Sequence, residues 1–258
     1  MAELVDAQVS EACCRKAVEV RFFSSAPKKV IRIRDKGYNP LSLLFLVSKL
    51  NRVREEFAKA ITIHQSIFGL EFSPEKIVRL ADYYELVERH NPLLHLVAPC
   101  SPEEFATRHI LESLTLLKFL PRLVRFADVG SGAGLPSIPC LIAREDLKGV
   151  LIESKEKKAR FLQTVIEELG MTARVEVVNR QFSEFDLPNV YAVTCRALDK
   201  FVDKLPQLLK WSGNRELLLF GGNSLGEALE KAERTFTSHL MPLSERRFLF
   251  SIPAKRRP

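Results

Sequence analysis

The residues best placed to do chemistry are Asp128-Val129-Gly130-Ser131-Gly132-Ala133-Gly134, with glycines in G-x-G-x-G spacing. They sit between an apolar run, Leu123–Val129, and a helix-forming stretch, Leu135–Arg144. Glycines there let the backbone turn tightly and approach a ligand with no side chain in the way. A second acid, Glu153, closes the next apolar run, 19 residues after Gly134. A carboxylate at that place can accept hydrogen bonds from two ribose hydroxyls. No Lys-Ser/Thr pair follows the glycines, which excludes a P-loop. Asp128, two residues before the first glycine, suits a ligand with a cationic amino group. S-adenosylmethionine (SAM), a nucleoside carrying such a group, answers to both acids. The plainer alternative is a tight strand–helix turn whose acids are merely solvated.

The elements that must position these residues follow from hydrophobic spacing. Helices are expected over about Pro40–Phe68, broken at Gly69, and from Ser73-Pro74-Glu75 to Asn91-Pro92, with Ile77, Leu80, Tyr84 and Val87 inward. Another helix starts at Ser101-Pro102-Glu103-Glu104, spaced as a capping box, carries Ile110, Leu114 and Leu117 inward and stops near Pro121. From Leu123 strands and helices alternate. Strands are expected at Leu123–Val129, Val150–Ile152, Val175–Val178, Tyr191–Thr194 and Glu216–Phe220. The intervening helices are Leu135–Arg144, Glu156–Leu169, Asp199–Trp211 and Ser224–Phe236, with Arg247–Ile252 as an antiparallel closing strand. Apolar strands alternating with helices predict an α/β domain on a largely parallel sheet with helices on both faces. The expected organisation is an extension over 1–50, a small helical part over 51–121 and the ligand-binding domain over 122–258.

The charge is modest. Of a net +7, residues 1–50 carry +4, and the tail Lys255-Arg256-Arg257 accounts for the remainder. Charge alone therefore gives weak support for nucleic-acid binding. Five cysteines without C-x-x-C, and no H-E-x-x-H, argue against a disulfide framework or a metal site. Cys140 and Cys195 lie in apolar stretches and are expected to be core thiols, which suits a reducing cytoplasm. The longest apolar run, Leu41–Val47, is too short to span a bilayer, so no membrane is expected.

Several stretches, in order, resemble the RsmG (GidB) methyltransferases of 16S ribosomal RNA. Asp128-Val-Gly-Ser-Gly-Ala-Gly-Leu-Pro-Ser-Ile-Pro139 resembles their SAM motif, and Arg108-His109-Ile110-Leu111-Glu112-Ser113 their R-H-I-L-D-S. Leu151-Ile152-Glu153-Ser154, Phe161-Leu162 and Cys195-Arg196-Ala197 match further family motifs, over a span of about Leu70 to Ile252. Three places depart. His95-Leu96-Val97 stands for N-L-T, Ser137 for a glycine, and Gly221-Gly222 for Lys-Gly.

The resemblance implies a Rossmann-like class I methyltransferase sheet behind a small helical part, and N-7 methylation of a guanine in 16S rRNA or the small ribosomal subunit. It implies SAM contacts at Gly130, Leu135, Gln181, Phe182 and Arg196. Asp128, Gly132, Gly134 and Glu153 join them from the residue chemistry. Phe182 is either a stacking surface or a core residue. Arg108 and His109 are candidates for the acceptor base, although His109 on an apolar helix can equally be structural. Arg196, closing a strand, is expected to reach the ligand rather than the core. Guanine N-7 has no proton to lose, so no catalytic acid or base is required and none is assigned. A non-RNA acceptor, or a non-catalytic SAM-binding ribosome-associated protein, are the alternatives, and a monomer is expected. Residues 1–50 are expected to be dispensable. Glu3-Leu-Val-Asp-Ala7 and Val20-Arg21-Phe22 read like a translated tRNA gene, and an alternative start near Val53 is expected.

Overall fold

The computed structural model describes residues 40–187, 189–196 and 200–254 together with three short strands nearer the N-terminus, the residues before Arg52 by backbone alone. The chain divides into two compact units, Met1–Arg52 and Val53–Pro258. In the first, β1 (Val5–Ala7), β2 (Val18–Arg21) and β3 (Arg32–Ile33) pair antiparallel in the order β1-β2-β3. Most of the expected extension, including Cys13 and Cys14, lies outside the described residues, as do Ala197 and the Lys255–Arg257 tail.

The second unit begins within α1 (Pro40–His64), which tightens into a 3₁₀ turn at Gln65–Phe68 and ends at Gly69, in the left-handed conformation with φ 68°. α2 spans Pro74–Leu94 with Ser73 as N-cap. It was expected to end at Asn91-Pro92, but proline in a last turn is tolerated when the loop beyond supplies the stop. Here His95 takes the left-handed conformation, and Asn91 Oδ1 accepts the N–H groups of Leu96 and Val97 at 2.8 and 3.0 Å.

A continuous helical stretch follows over 102–114: α3 (Pro102–Glu104), a π-helical segment (Phe105–Leu111) and α4 (Glu112–Leu114). Ser101 Oγ accepts the Glu104 N–H at 3.1 Å, as the capping spacing predicts. The π segment was not anticipated. Its widened turn is visible in the Glu112 N–H bonded to Thr107 O, five residues back.

Seven strands form one sheet in the order β6-β5-β4-β7-β8-β10-β9. β4 (Arg125–Val129), β5 (Lys148–Ile152), β6 (Val175–Val178), β7 (Ala192–Arg196) and β8 (Glu216–Gly221) are parallel. β10 (Phe248–Ile252) runs antiparallel to β8, as expected, and β9 (Thr237–Leu240) pairs antiparallel with β10. β9 was missed because its residues are largely exposed and show no apolar alternation. The helices are α5 (Ser137–Ala143), α6 (Glu156–Glu168), α7 (Phe201–Ser212) and α8 (Asn223–Lys231), the last ending short of the expected Phe236.

Strand period decides what each face holds. In β4, Phe126 joins one core with α2, α5, α6 and the 102–114 stretch, whereas Ala127 and Val129 join the other core with α7 and α8. The first core includes a ring stack running from Phe57 to Tyr84 (centroids 4.6 Å apart), to Phe105 (4.8 Å) and on to His109 (5.2 Å). Cys140 and Cys195 are fully buried, as expected of core thiols. No helix among the described residues is long and apolar enough to cross a membrane.

Candidate functional site

β4 has β5 on one side and β7 on the other, so the strand order reverses there. In open parallel sheets a ligand crevice forms outside the carboxyl ends of the strands at that reversal. A cavity of about 460 Å³ opens at this place, with the glycine turn on its wall.

The turn is held from several directions. The N–H groups of Gly130 and Ser131 donate to Ile152 O at 2.8 and 3.2 Å, and Gly134 N–H donates to Ser131 O at 2.7 Å. Tyr83 on α2, wholly buried, donates its hydroxyl to Ala133 O at 2.7 Å, and burial raises its pKa. Tyr83 lies outside the inward set of Ile77, Leu80, Tyr84 and Val87, one residue from Tyr84, yet both tyrosines are buried.

The glycines divide their work. Gly132, at φ 55°, lines the cavity, and a Cβ there would meet nothing in the protein nearer than Gly130 O at 3.6 Å. Gly134, at φ 91°, is not part of the wall. A Cβ there would fall 2.5 Å from Ile138 Cγ1 and 3.2 Å from Leu162 Cδ2, so this glycine serves close packing.

Glu153 is 5% exposed and faces the cavity. Its Oε2 accepts the Gly132 N–H at 2.9 Å and its Oε1 the Lys155 N–H at 2.8 Å, so each oxygen keeps acceptor capacity. Asn179 clamps the same corner by donating Nδ2 to Glu153 O at 2.8 Å.

Asp128 is placed differently. It is fully buried, shares the face of Phe126 and does not line the cavity. Ser137 Oγ donates to its Oδ2 at 2.7 Å, which gives the serine at this family-glycine position a role. Oδ1 has no partner among the described residues. Burial pushes the carboxyl up to about 7, against the downward pull of Ser137.

The remaining candidates separate as well. Gly130, Leu135, Gln181 and Phe182 line the cavity. Phe182 is also a buried wall residue, set edge-on to Trp211 with centroids 5.5 Å apart. Arg108 is outside the wall and pairs its exposed guanidinium with Glu104.

His109 lines the cavity. Burial, then the charges of Arg196, Arg108 and Arg247, push it down to about 3, so the ring is neutral. Arg196 reaches the cavity but is not free to leave the core. It donates to Ser113 Oγ (2.9 Å), Arg108 O (2.6 Å) and Glu112 Oε2 (3.3 Å), and lies 5.4 Å above the Phe220 ring. Glu112, 2% exposed, also holds Arg247 at 2.7 Å. The expectation that Arg196 stands clear of the core is corrected: it lines the cavity and is also tied into the core, because a buried carboxylate, Glu112, lies behind it.

The loop after α2 was not foreseen as part of the site, yet Leu96, Val97 and Ala98 form its apolar wall. The departure His95-Leu96-Val97 is the signal that could have found it. Gly221 leaves no room for a side chain, since a Cβ would stand 2.5 Å from Leu225 Cδ2 and 2.9 Å from Leu225 Cβ.

Residues 76–249 match the GidB family model, described as rRNA small subunit methyltransferase G. A ribosomal RNA small subunit methyltransferase G from Sorangium cellulosum is 40% identical over 145 residues, covering 54% of this chain and 60% of the relative. One from Neisseria meningitidis is 34% identical over 154 residues, covering 60% and 71%. A third, from Rhizobium meliloti, is 28% identical over 187 residues, covering 70% and 88%. The match spans about 60% of the Sorangium relative's own length.

Proposed function

Because this chain belongs to the GidB family, rRNA small subunit methyltransferase G, we propose that it transfers a methyl group from SAM to N-7 of a guanine in 16S ribosomal RNA. The observation that carries this reading is the glycine turn bonded to Glu153 across the cavity floor. The residues present fit SAM: Gly132 leaves open space where a side chain would stand, and the pinned Glu153 keeps acceptor capacity for two hydroxyls. Gln181 and Phe182 flank the adenine in this assignment, and Gly130, Leu135 and Arg196 complete the cofactor side. When bound, SAM supplies an electrophilic methyl on a sulfonium.

On the acceptor side, the apolar wall of Leu96 and Val97 and the neutral ring of His109 receive the base. Guanine N-7 presents an in-plane lone pair and loses no proton, so these residues need only orient it. Holding donor and acceptor in line at near-attack distance is worth up to about 7–11 kcal/mol in favourable cases. The N-7 edge of a paired guanine lies in the deep, narrow groove of A-form RNA, which side chains cannot read. The target guanine is therefore unpaired.

The test is methyl transfer from labelled SAM by the purified chain to small subunits prepared from cells lacking the gene, with chemical mapping of N-7-methylguanine. One mapped guanine is expected. Label recovered only in protein, in small molecules or at another base atom would overturn the proposal.

A further inference from the structure

We propose that Lys155, Lys158, Arg180 and Lys204 form a rim that holds the phosphates of an unpaired RNA strand around the nucleotide whose base enters the cavity. This rests on the RNA-acceptor reading and names the groups that would carry it.

The first observation is charge segregation. Residues 51–254 carry no net charge, since the excess lies in the first 50 residues and the terminal tail. Within that neutral body these four cations all line one cavity. They arrive from separate places: Lys155 caps α6, Lys158 lies in its first turn, Arg180 follows β6, and Lys204 is on α7.

The second observation is what they face. None forms an ion pair with a carboxylate among the described residues. Several arginines elsewhere in the unit are matched to carboxylates, as in Arg54–Asp82, Arg125–Glu176 and Arg144–Asp146. Among the described residues the one carboxylate on the cavity wall, Glu153, is already bonded to two backbone N–H groups. A cleft lined by one sign of charge focuses its field on an incoming polyanion. The apolar floor suits a base, the cationic rim its neighbouring phosphates, and phosphate contacts position a strand without reading its sequence.

The experiment measures binding of protein-free 16S rRNA and of a short unstructured guanine-containing RNA against KCl concentration. The variants are Lys155→Gln, Lys158→Gln, Arg180→Gln and Lys204→Gln, singly and combined. Lys148→Gln and Lys231→Gln, exposed cations outside the cavity wall, serve as controls. For a single strand, each lost phosphate contact should make the slope of log affinity against log salt shallower by about 0.7, and the combined variant by about 3. SAM affinity by calorimetry should stay within about threefold, and KM for RNA should rise more than kcat falls. If the combined variant binds RNA with the wild-type slope, or the controls lose as much slope as the rim, the rim is refuted while the RNA reading stands. If the unaltered chain neither binds nor methylates RNA, both fall.

Discussion

Asp128→Asn should make the protein more stable at pH 8 and leave it nearly unchanged at pH 4. Asp128 is fully buried, with one oxygen bonded to Ser137 and the other without a partner among the described residues. Burial raises the carboxyl from 3.8 to about 7 in the folded protein. The folded state thus holds this proton more tightly than the unfolded chain does. Stability is intact below pH 3.8, declines as pH rises through that window, and levels off above about 7. At 1.36 kcal/mol per pH unit the loss is up to about 4 kcal/mol. Asparagine is isosteric, keeps a carbonyl for the Ser137 hydroxyl and carries no charge. Its amide and the protonated acid leave a similar donor unpaired, so that cost of about 1–3 kcal/mol largely cancels at low pH. Urea unfolding of both proteins at intervals from pH 4 to 8 gives the difference directly. It should grow in favour of asparagine up to about pH 7 and level off beyond it. A difference that is constant with pH, or that favours aspartate at pH 8, would refute the burial argument.

Gly132→Asn, which tolerates the left-handed backbone and puts an amide into the cavity, should weaken SAM binding at least 100-fold by calorimetry while the melting temperature holds. Gly134→Ala should do the opposite, costing about 1–3 kcal/mol of stability through its collision with Ile138. His109, held at about 3, should show a ring proton resonance that does not move between pH 5 and 8, with single-turnover methyl transfer flat over the same window; a midpoint near 6.5 would remove its neutral role. Because its folded pKa is depressed, the ring's contribution to stability is present above 6.5 and is lost as pH falls below it. Arg196→Ala should lower stability by up to about 3 kcal/mol as well as impair activity, since Glu112 would keep Arg247 as its remaining cationic partner; an unchanged urea midpoint would contradict this.

What the sequence made legible was local. The glycine turn, the capped starts of α2 and the 102–114 stretch, and the alternation from β4 to β8 are each written in a few neighbouring residues, and the structure follows them closely. What it hid depends on residues distant in the chain. Glu112 gathers Arg196 and Arg247 from 84 and 135 residues away, and nothing around any of the three marks them as partners. Lys155 and Lys158 are neighbours in sequence, but Arg180 and Lys204 join them only once β6 and α7 are placed. The π-helical segment was hidden because Ile110 and Leu114, four apart and both buried, keep the spacing of an ordinary helix.

The two acids beside the glycine turn show how far elementary geometry carries. Both Asp128 and Glu153 were expected to meet the cofactor, yet one is buried beneath the turn and the other lines the cavity. The strand period separates them. Asp128 lies inside β4 with the parity of Phe126, so it must point into the core beneath α5, where Ser137 meets it. Glu153 lies one residue beyond β5, outside the pleat, and its carboxylate is free to turn back and accept the Gly132 N–H. Parity with a core phenylalanine, set against a place past the strand's last residue, is information the sequence already contained. It places Asp128 in the core, with a pH-dependent cost to stability, and Glu153 on the cavity wall.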